Sequence, residues 1–581
     1  MRSVSSLNPK SNKLANFKKA ISLFLLFLAM PSLPSLRIDC SFYHPDPTFP
    51  YEKFNEGFKP AGFLEIYVEN RGNEPLRIED LQLNEEIVWW RLRPDPLPPK
   101  SFGEILIRLR NHPQKDLRAK IKLTDSSAIE ISQPPNPPTL SLETLAFDEN
   151  ISKIYLFLKG KPSKIKEILL DGYSLLKRSK ILGFWKDFCL IIVSLTQPLR
   201  YGSFHYLRLD TDKGERIAFL FRARDDFFPL GSYGYVTPEA YAQANCNIYA
   251  SFSALSKEQL DKLGKFNIKG ISSLGGESPP KEIISHPFLW AYYLWDEPDV
   301  ADYFVESLPH PLRVGSKAVE MVKRERNCYN ADKNKLTFLT IDMTYKPANW
   351  FVYGRIADVT NTDPYALAFG AEMRLVYDVS EILRLASSPS MPLITYQAYF
   401  RKPKDKPSDW KYPRMPSPEE EKIMMHYALA GGAKGLLSYI HCTEHIGKNI
   451  ISYGAEDYPE VWKAIGDVYK NLSAVSHIIS RTQPMDIVQG QEGVFARALV
   501  ADDAMLIVCI NEKGKSEKEG YISHPIENLR ISVELPPWFK PKKVEEIRDG
   551  EFHPLPFKIG KEGVLHFLLP TLHSATLVLL E

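Results

Sequence analysis

Cysteine is scarce in this sequence: six residues in 581, none of them in a Cys-x-x-Cys pair. That density excludes a disulfide scaffold, which small secreted domains build from many closely spaced cysteines. Long apolar runs are missing too. The run Ala20–Met30 stops after 11 residues, short of the ~20 that a bilayer-spanning helix needs. Charge of one sign is not in excess, with 73 Lys+Arg against 71 Asp+Glu and a formal charge of +2. No broad basic footprint for nucleic acid follows from that balance. Neither G-x-G-x-x-G nor G-x-x-x-x-G-K-[ST] appears where a nucleotide-binding sheet would carry its phosphate loop. What is present is a folded composition, 44% hydrophobic, 12% aromatic and 25% charged, which excludes a mainly disordered chain. The 45 prolines, nine Trp and 28 Tyr favour β-rich, ligand-facing domains over a helical bundle.

Residues 1–36 hold Arg2, Lys10, Lys13, Lys18 and Lys19, no acid, then the apolar run and Pro31-Ser32-Leu33-Pro34-Ser35. A basic region, a short apolar core and a small-residue exit are the parts of a cleaved export signal. Removing its five cations leaves 68 basic against 71 acidic residues, so the mature chain carries −3. A secreted, periplasmic or surface location is expected, with no membrane span after cleavage.

From about residue 60 apolar and polar residues alternate through Phe63–Val68, a Gly/Asn/Pro turn and a second strand to Ile78. The pattern returns about 88 residues later, at Ile154–Leu158, a Lys-Gly-Lys-Pro turn and Ile165–Leu170. Two β-sandwich modules of immunoglobulin-like size are expected, 37–140 and 141–226, meeting at the proline-rich stretch 133–138. Their expected role is that of spacers or sugar-binding modules. After Phe228-Pro229-Leu230-Gly231 the period changes. Candidate strands at 232–236, 247–251, 268–272, 289–295, 336–341, 356–360, 393–398 and 435–440 alternate with amphipathic segments at 256–266, 303–326 and 418–429. Eight strands and their helices over ~250 residues predict a (β/α)8 barrel at 227–483. Alternation resumes from Pro484, predicting a C-terminal β-sandwich at 484–581. The fold class is therefore a multidomain α/β plus β protein, with a central barrel between sandwiches.

The chemistry concentrates at the end of the fourth barrel strand. Trp290-Ala291-Tyr292-Tyr293-Leu294-Trp295 ends in Asp296-Glu297-Pro298-Asp299, and strand C-termini face the mouth of such a barrel. A carboxyl held against Tyr293 or Trp295 loses water and its pKa rises toward the range of a general acid. Glu297 is the expected acid. Asp299 is expected to cap the helix at 303–326.

An Asp-Glu-Pro closing an aromatic fourth strand resembles the (β/α)8 glycoside hydrolases. Asp358-Val359-Thr360-Asn361-Thr362-Asp363-Pro364-Tyr365, Gln397-Ala398-Tyr399-Phe400, Met415-Pro416-Ser417-Pro418-Glu419-Glu420 and Ala430-Gly431-Gly432-Ala433-Lys434-Gly435 look like a bacterial branch of that group over about 225–480. In clan A of those enzymes a Glu after Asn is the acid/base, and a Glu ending strand seven is the nucleophile. Here Asp296 precedes Glu297, and the seventh strand ends in the amide Gln397. The Asp-Glu pair is similar instead to glycoside hydrolase families 20 and 123. That resemblance implies substrate assistance, with Asp296 steadying a 2-acetamido group that attacks the anomeric carbon while Glu297 protonates the leaving oxygen. The alternative pairs Glu297 with Asp363 after strand six, or with Asp342 after strand five.

Tyr233, Tyr249, Trp295, Tyr365, Tyr396, Tyr399 and Tyr439 near strand ends are the expected sugar platform, with Gln397 and His441 reaching ring edges. Asp342 is counted among the substrate contacts. His441-Cys442-Thr443-Glu444-His445 fits the zinc-peptidase string H-x-x-E-H, but it follows a strand and reads as a loop. Three functions are therefore open: a glycoside hydrolase, a catalytically silent carbohydrate-binding barrel suggested by Gln397, and a zinc peptidase. The first is expected, with a carbohydrate partner, no cofactor, no metal and no nucleic acid. The cysteines suggest no disulfide assignment, and oligomeric state leaves no trace in the sequence.

Overall fold

The computed structural model describes residues 35–47, 61–234, 237–304, 314–342, 348–368, 370–401 and 413–581. All but the last two residues of the export segment lie outside these. No helix among the described residues is long and apolar enough to cross a membrane.

Two sandwiches lead the chain. In the first, Leu36–Pro45, Gly62–Asn70, Ser101–Leu109 and Ile87–Arg93 form one sheet in that order, facing a sheet of Ile78–Leu83, Leu117–Leu123 and Ala128–Gln133. This is the strand order of immunoglobulin constant-type domains. In the second, the sheet Ser141–Phe147, Lys153–Lys159, Phe188–Ser194 and Ser179–Trp185 repeats it. Its partner sheet of Ile165–Leu170, Phe204–Thr211 and Arg216–Arg222 carries one added short strand, Tyr173–Ser174. In both copies the recurring turn carries the chain from one sheet to the other, so the sequence repeat marks a topological one.

The barrel closes through eight parallel strands: β1 (Leu230–Tyr233), β2 (Ile248–Ala250), β3 (Lys269–Ser273), β4 (Leu289–Asp296), β5 (Leu336–Ile341), β6 (Val359–Thr362), β7 (Met391–Gln397) and β8 (Leu436–Tyr439). Each overlaps a predicted strand. Ile248, Ile271, Ala291, Phe338, Val359, Leu393 and Leu437 fill the interior, so the lower barrel is a packed core. At Gly231 a Cβ would fall 2.0 Å from Ile248 O, so only glycine lets β1 approach β2 here. Helix Lys257–Gly264 opens on a capping box of Ser256 and Gln259, and Pro418–Gly431 on one of Ser417 and Glu420. The segment expected as a helix at 303–326 differs. Its helix is Ala318–Ala331, and Asp302, not Asp299, serves its entry by accepting from Gly315 N, Ser316 N and Ser316 Oγ.

The tail is a sandwich of a six-stranded and a four-stranded sheet. Its last two strands are Val564–Leu572 and Ala575–Leu580. Leu499, Leu506, Val508 and Leu577 of the tail join Met424 and Ala428 of helix Pro418–Gly431 in one core. The tail also meets the second sandwich, where Trp185 packs edge-on to Trp538 with centroids 6.3 Å apart. All six cysteines are free thiols.

The first sandwich grips the segment that leads into β6. Trp89 Nε1 donates to Val352 O (2.8 Å), Arg91 to Ile356 O (2.7 Å), and Arg355 pairs with Glu65. Asp358 is the meeting point: it accepts from Arg93 of the first sandwich (3.1 Å), Arg222 of the second, and Thr337 N and Oγ1 of β5 (2.9 Å each). Burial opposes its charge, yet the two guanidinium groups hold its carboxyl down at about 2. Removing one member of such a buried cluster leaves bare charges, at a cost of about 3–5 kcal/mol. Asp358→Asn is therefore expected to lower the unfolding midpoint in calorimetry by several degrees at pH 7. The difference should shrink as pH falls toward 2, because the wild-type stabilisation is present above the unfolded carboxyl's pKa and lost below it. An unchanged midpoint at pH 7 would contradict the role given to Asp358.

Candidate active site

The end of β4 is set by a bulge. Tyr293 pairs with Phe338 and Asp296 with Thr340, so two residues of β4 oppose one of β5. The extra residue reverses the alternation. Trp295 turns outward, 40% exposed, beneath the guanidinium of Arg324 at 4.3 Å. Asp296 turns inward, where the Tyr293 hydroxyl donates to its carboxylate. Glu297 then takes φ +48°, a left-handed conformation that costs a side-chain-bearing residue about 1–2 kcal/mol. Its N–H donates to Thr340 O (3.1 Å) and its carbonyl accepts from Val300 N (3.1 Å), which fixes the turn.

Asp363, just beyond β6, is buried, and Asp342 follows β5. One oxygen each of Glu297, Asp342 and Asp363 lies within 4.8 Å of the other two. Asp299 stands behind, accepting from Asp342 N (3.0 Å) and from Asn349, which also donates to Asp342 O (2.7 Å). That clamp fixes the chain after β5. Burial pushes the Glu297 carboxyl up to about 7, helped by the negative charges of Asp296 and Asp342. Asp363 is also raised well above the usual carboxylate range, first by burial and then by its charge repulsion from and hydrogen bond with Glu297. The two carboxyls thus hold a proton at neutral pH and titrate as a unit. Asp296 opens to the cavity yet is walled by protein, and this loss of water raises its carboxyl as well.

The floor is polar. Thr340 Oγ1 is hydrogen-bonded to Tyr293 Oη (2.7 Å) and receives Asn361 Nδ2 (3.2 Å), while Thr395 Oγ1 donates to Asn361 Oδ1 (3.0 Å). The walls are aromatic. Phe252 lies parallel on Tyr233, centroids 4.8 Å apart, and is 43% exposed. Tyr399 meets Tyr439 edge-on at 4.9 Å and Tyr365 at 5.1 Å, and Tyr439 Oη donates to Glu444 (3.1 Å). Together with Asp296, Glu297, Asp363 and Arg401 these groups enclose about 230 Å³.

Of the residues singled out in the sequence, Tyr233, Asp296, Glu297, Asp363, Tyr365, Tyr399 and Tyr439 line this cavity, and Asp342 joins its carboxylate cluster. Trp295 is outside because of the bulge. Tyr249 packs edge-on to Tyr241 at 5.6 Å. Tyr396 faces out of β7, its hydroxyl bonded to Tyr469 Oη at 2.9 Å. Gln397 is buried as a brace: its Oε1 accepts from Ala368 N (2.9 Å) and its Nε2 donates to Tyr399 O (3.1 Å). His441 is buried edge-on to Trp462 at 4.3 Å, and desolvation lowers its pKa to about 4. The H-x-x-E-H string is not helical, since Glu444–Ile446 is a strand. The sequence reading missed Phe252, Thr340, Asn361, Thr395 and Arg401. Thr340, Asn361 and Thr395 were within reach, being small polar residues at inward positions near strand ends.

Glu297, Asp342 and Asp363 are also the one grouping with cation-ligand spacing among the described residues.

No protein-family model and no curated protein matches the chain. Among solved structures it is similar to a cycloisomaltooligosaccharide glucanotransferase of a Paenibacillus species, 10% identical with a TM-score of 0.45 over 76% of this chain and 99% of that one. A β-glucuronidase of Parabacteroides merdae is 10% identical with a TM-score of 0.30 over 99% and 94%. A β-galactosidase of the haloarchaeon Halorubrum lacusprofundi is 9% identical with a TM-score of 0.35 over 42% and 58%.

A carboxyl raised on folding costs nothing below its unfolded pKa, and the loss of stability grows as pH rises from there to the folded value of about 7. Glu297→Gln should therefore match wild type in thermal midpoint at pH 4 and exceed it at pH 8.5, by about 1–3 kcal/mol of stability. Equal midpoints at both pH values would refute the raised pKa.

Proposed function

We propose that this protein is an exported glycoside hydrolase in which Glu297 is the general acid/base and Asp363 the second carboxylate. The observation that carries the reading is the approach of these two carboxyls, with oxygens within 4.8 Å of one another, at the end of an aromatic-walled barrel cavity. Glu297 protonates the glycosidic oxygen as the bond to the anomeric carbon breaks. The ionised Asp363 carboxylate bonds to that carbon, giving a glycosyl ester as the protonated leaving group departs. Water then attacks the same carbon and breaks the ester bond to Asp363, while Glu297 takes a proton from that water. Retention goes with carboxyls ~5–5.5 Å apart and inversion with ~6.5–9.5 Å, so the anomeric form of the product decides how Asp363 acts. Phe252 on Tyr233 offers an apolar face for sugar C–H groups, and Asn361 and Thr395 offer polar edges. The binding-only alternative drew on Gln397, and that amide is occupied by Ala368 and Tyr399.

A second reading, substrate assistance, is favoured by one observation: the bulge turns Asp296 inward and Tyr293 orients it. Asp296 would then steady a 2-acetamido group in place of Asp363. Export through residues 1–36 completes the proposal, with the sandwiches acting as spacers that hold the barrel.

Glu297→Gln is expected to cut glycoside turnover by ~10²–10⁴-fold, measured in a glycan screen with anomeric analysis of the products. Wild-type kcat/KM should fall as pH rises through about 7, where Glu297 loses its proton. Full residual activity in the variant would sink the assignment, and inverted products would remove Asp363 as nucleophile.

A further inference from the structure

We infer that the sugar bound beside Glu297 carries a protonated amine on the carbon next to the reacting one, received by Asp342 and Asp363. The inference rests on the double-displacement reading, since a free amine has no acetamido oxygen to assist. Three observations support it. The first is charge: Asp296, Glu297, Asp342 and Asp363 converge here, and Arg401 is the one cation lining the cavity among the described residues. Arg401 stands on the exposed rim with its guanidinium 5.8 Å from the Tyr399 ring. The second is an orphan: Asp363 is only 6% exposed, and its Oδ1 has no N–H or hydroxyl donor. A buried acceptor without a donor is costly unless a ligand supplies one.

The third is geometry. An ammonium has three donors and no acceptor, and charge-assisted bonds of ~2.8 Å in a tetrahedral arrangement set their acceptors ~4.6 Å apart. The oxygens of Glu297, Asp342 and Asp363 lie within 4.8 Å of one another. An amine next to the anomeric carbon is also adjacent to the leaving oxygen that Glu297 must reach. A uronate, by contrast, would bring a further negative charge among four carboxyls. A divalent cation is the rival occupant of the same oxygens.

The test uses the full chain and 4-nitrophenyl glycosides of gluco and galacto configuration, both anomers, with a free amine, an acetamide or a hydroxyl at carbon 2, together with the uronides. The amine should raise kcat/KM at least 10-fold over the hydroxyl, and Asp342→Asn should reduce that ratio at least 10-fold. Equal or better turnover of the hydroxyl, acetamide or uronide forms overturns the inference. Activity that is lost to a chelator and restored by Ca²⁺ or Mg²⁺ gives the oxygens to a metal and overturns it too. Calorimetry of glucosamine and galactosamine against glucose and galactose separates this inference from the hydrolase reading. Selective amine binding without turnover of any glycoside keeps the amine site at Asp342 and Asp363 and removes the hydrolase. Neither binding nor turnover removes both.

Discussion

Asp358 is where the separate parts of the molecule become one. Its carboxylate receives Arg93 from the first sandwich and Arg222 from the second, while Thr337 ties it to β5. Buried charges of this kind are expensive to desolvate and stable only as a complete set. The set therefore specifies how both sandwiches sit against the barrel. It also fixes the start of β6, the strand that ends in Asn361, Thr362 and Asp363. A contact at the foot of the barrel thus sets the position of a carboxyl at its mouth.

At the other end of the pairing, β4 reaches the mouth through an irregularity. One inserted residue throws Trp295 out and brings Asp296 in, and Glu297 adopts a left-handed backbone. Local strain of about 1–3 kcal/mol persists only where the surroundings over-determine it. Here Thr340 O, Val300 N and the clamp of Asp299 on Asp342 supply that restraint. Burial, and then the crowding of acids, raises the proton affinity of Glu297 and Asp363. Stability is given up at the place where the proposed acid stands.

Much of this was legible in the sequence, for identifiable reasons. All eight barrel strands were readable because short aromatic or β-branched runs were punctuated by helical stretches. The sandwich repeat was readable because two-residue alternation recurred with matching turns. Glu297 and Asp363 stood out as acids directly after apolar strands. What stayed hidden depends on three dimensions. A bulge adds one residue without a sequence signature, so Trp295 was assigned to the wrong face. Gln397 occupies a strand-end position of the kind that feeds an active site, yet its amide is captured by Ala368 N, a pairing no spacing rule foretells. Tyr249, Tyr396 and His441 are aromatic near the mouth, but each faces a neighbouring helix or ring. Asn361 and Thr340 are a different case: their inward positions near strand ends were readable, but small polar residues do not stand out from a strand as acids do.

The central claim is that Glu297 and Asp363 act as a pair on one sugar. It is tested most directly by trapping turnover with an activated 5-fluoro glycosyl fluoride, which leaves carbon 2 untouched, and mapping the labelled peptide by mass spectrometry. The account predicts one covalent glycosyl ester, on Asp363, absent from Asp363→Asn protein. A label on Asp296, Asp342 or any residue outside the cavity would contradict it.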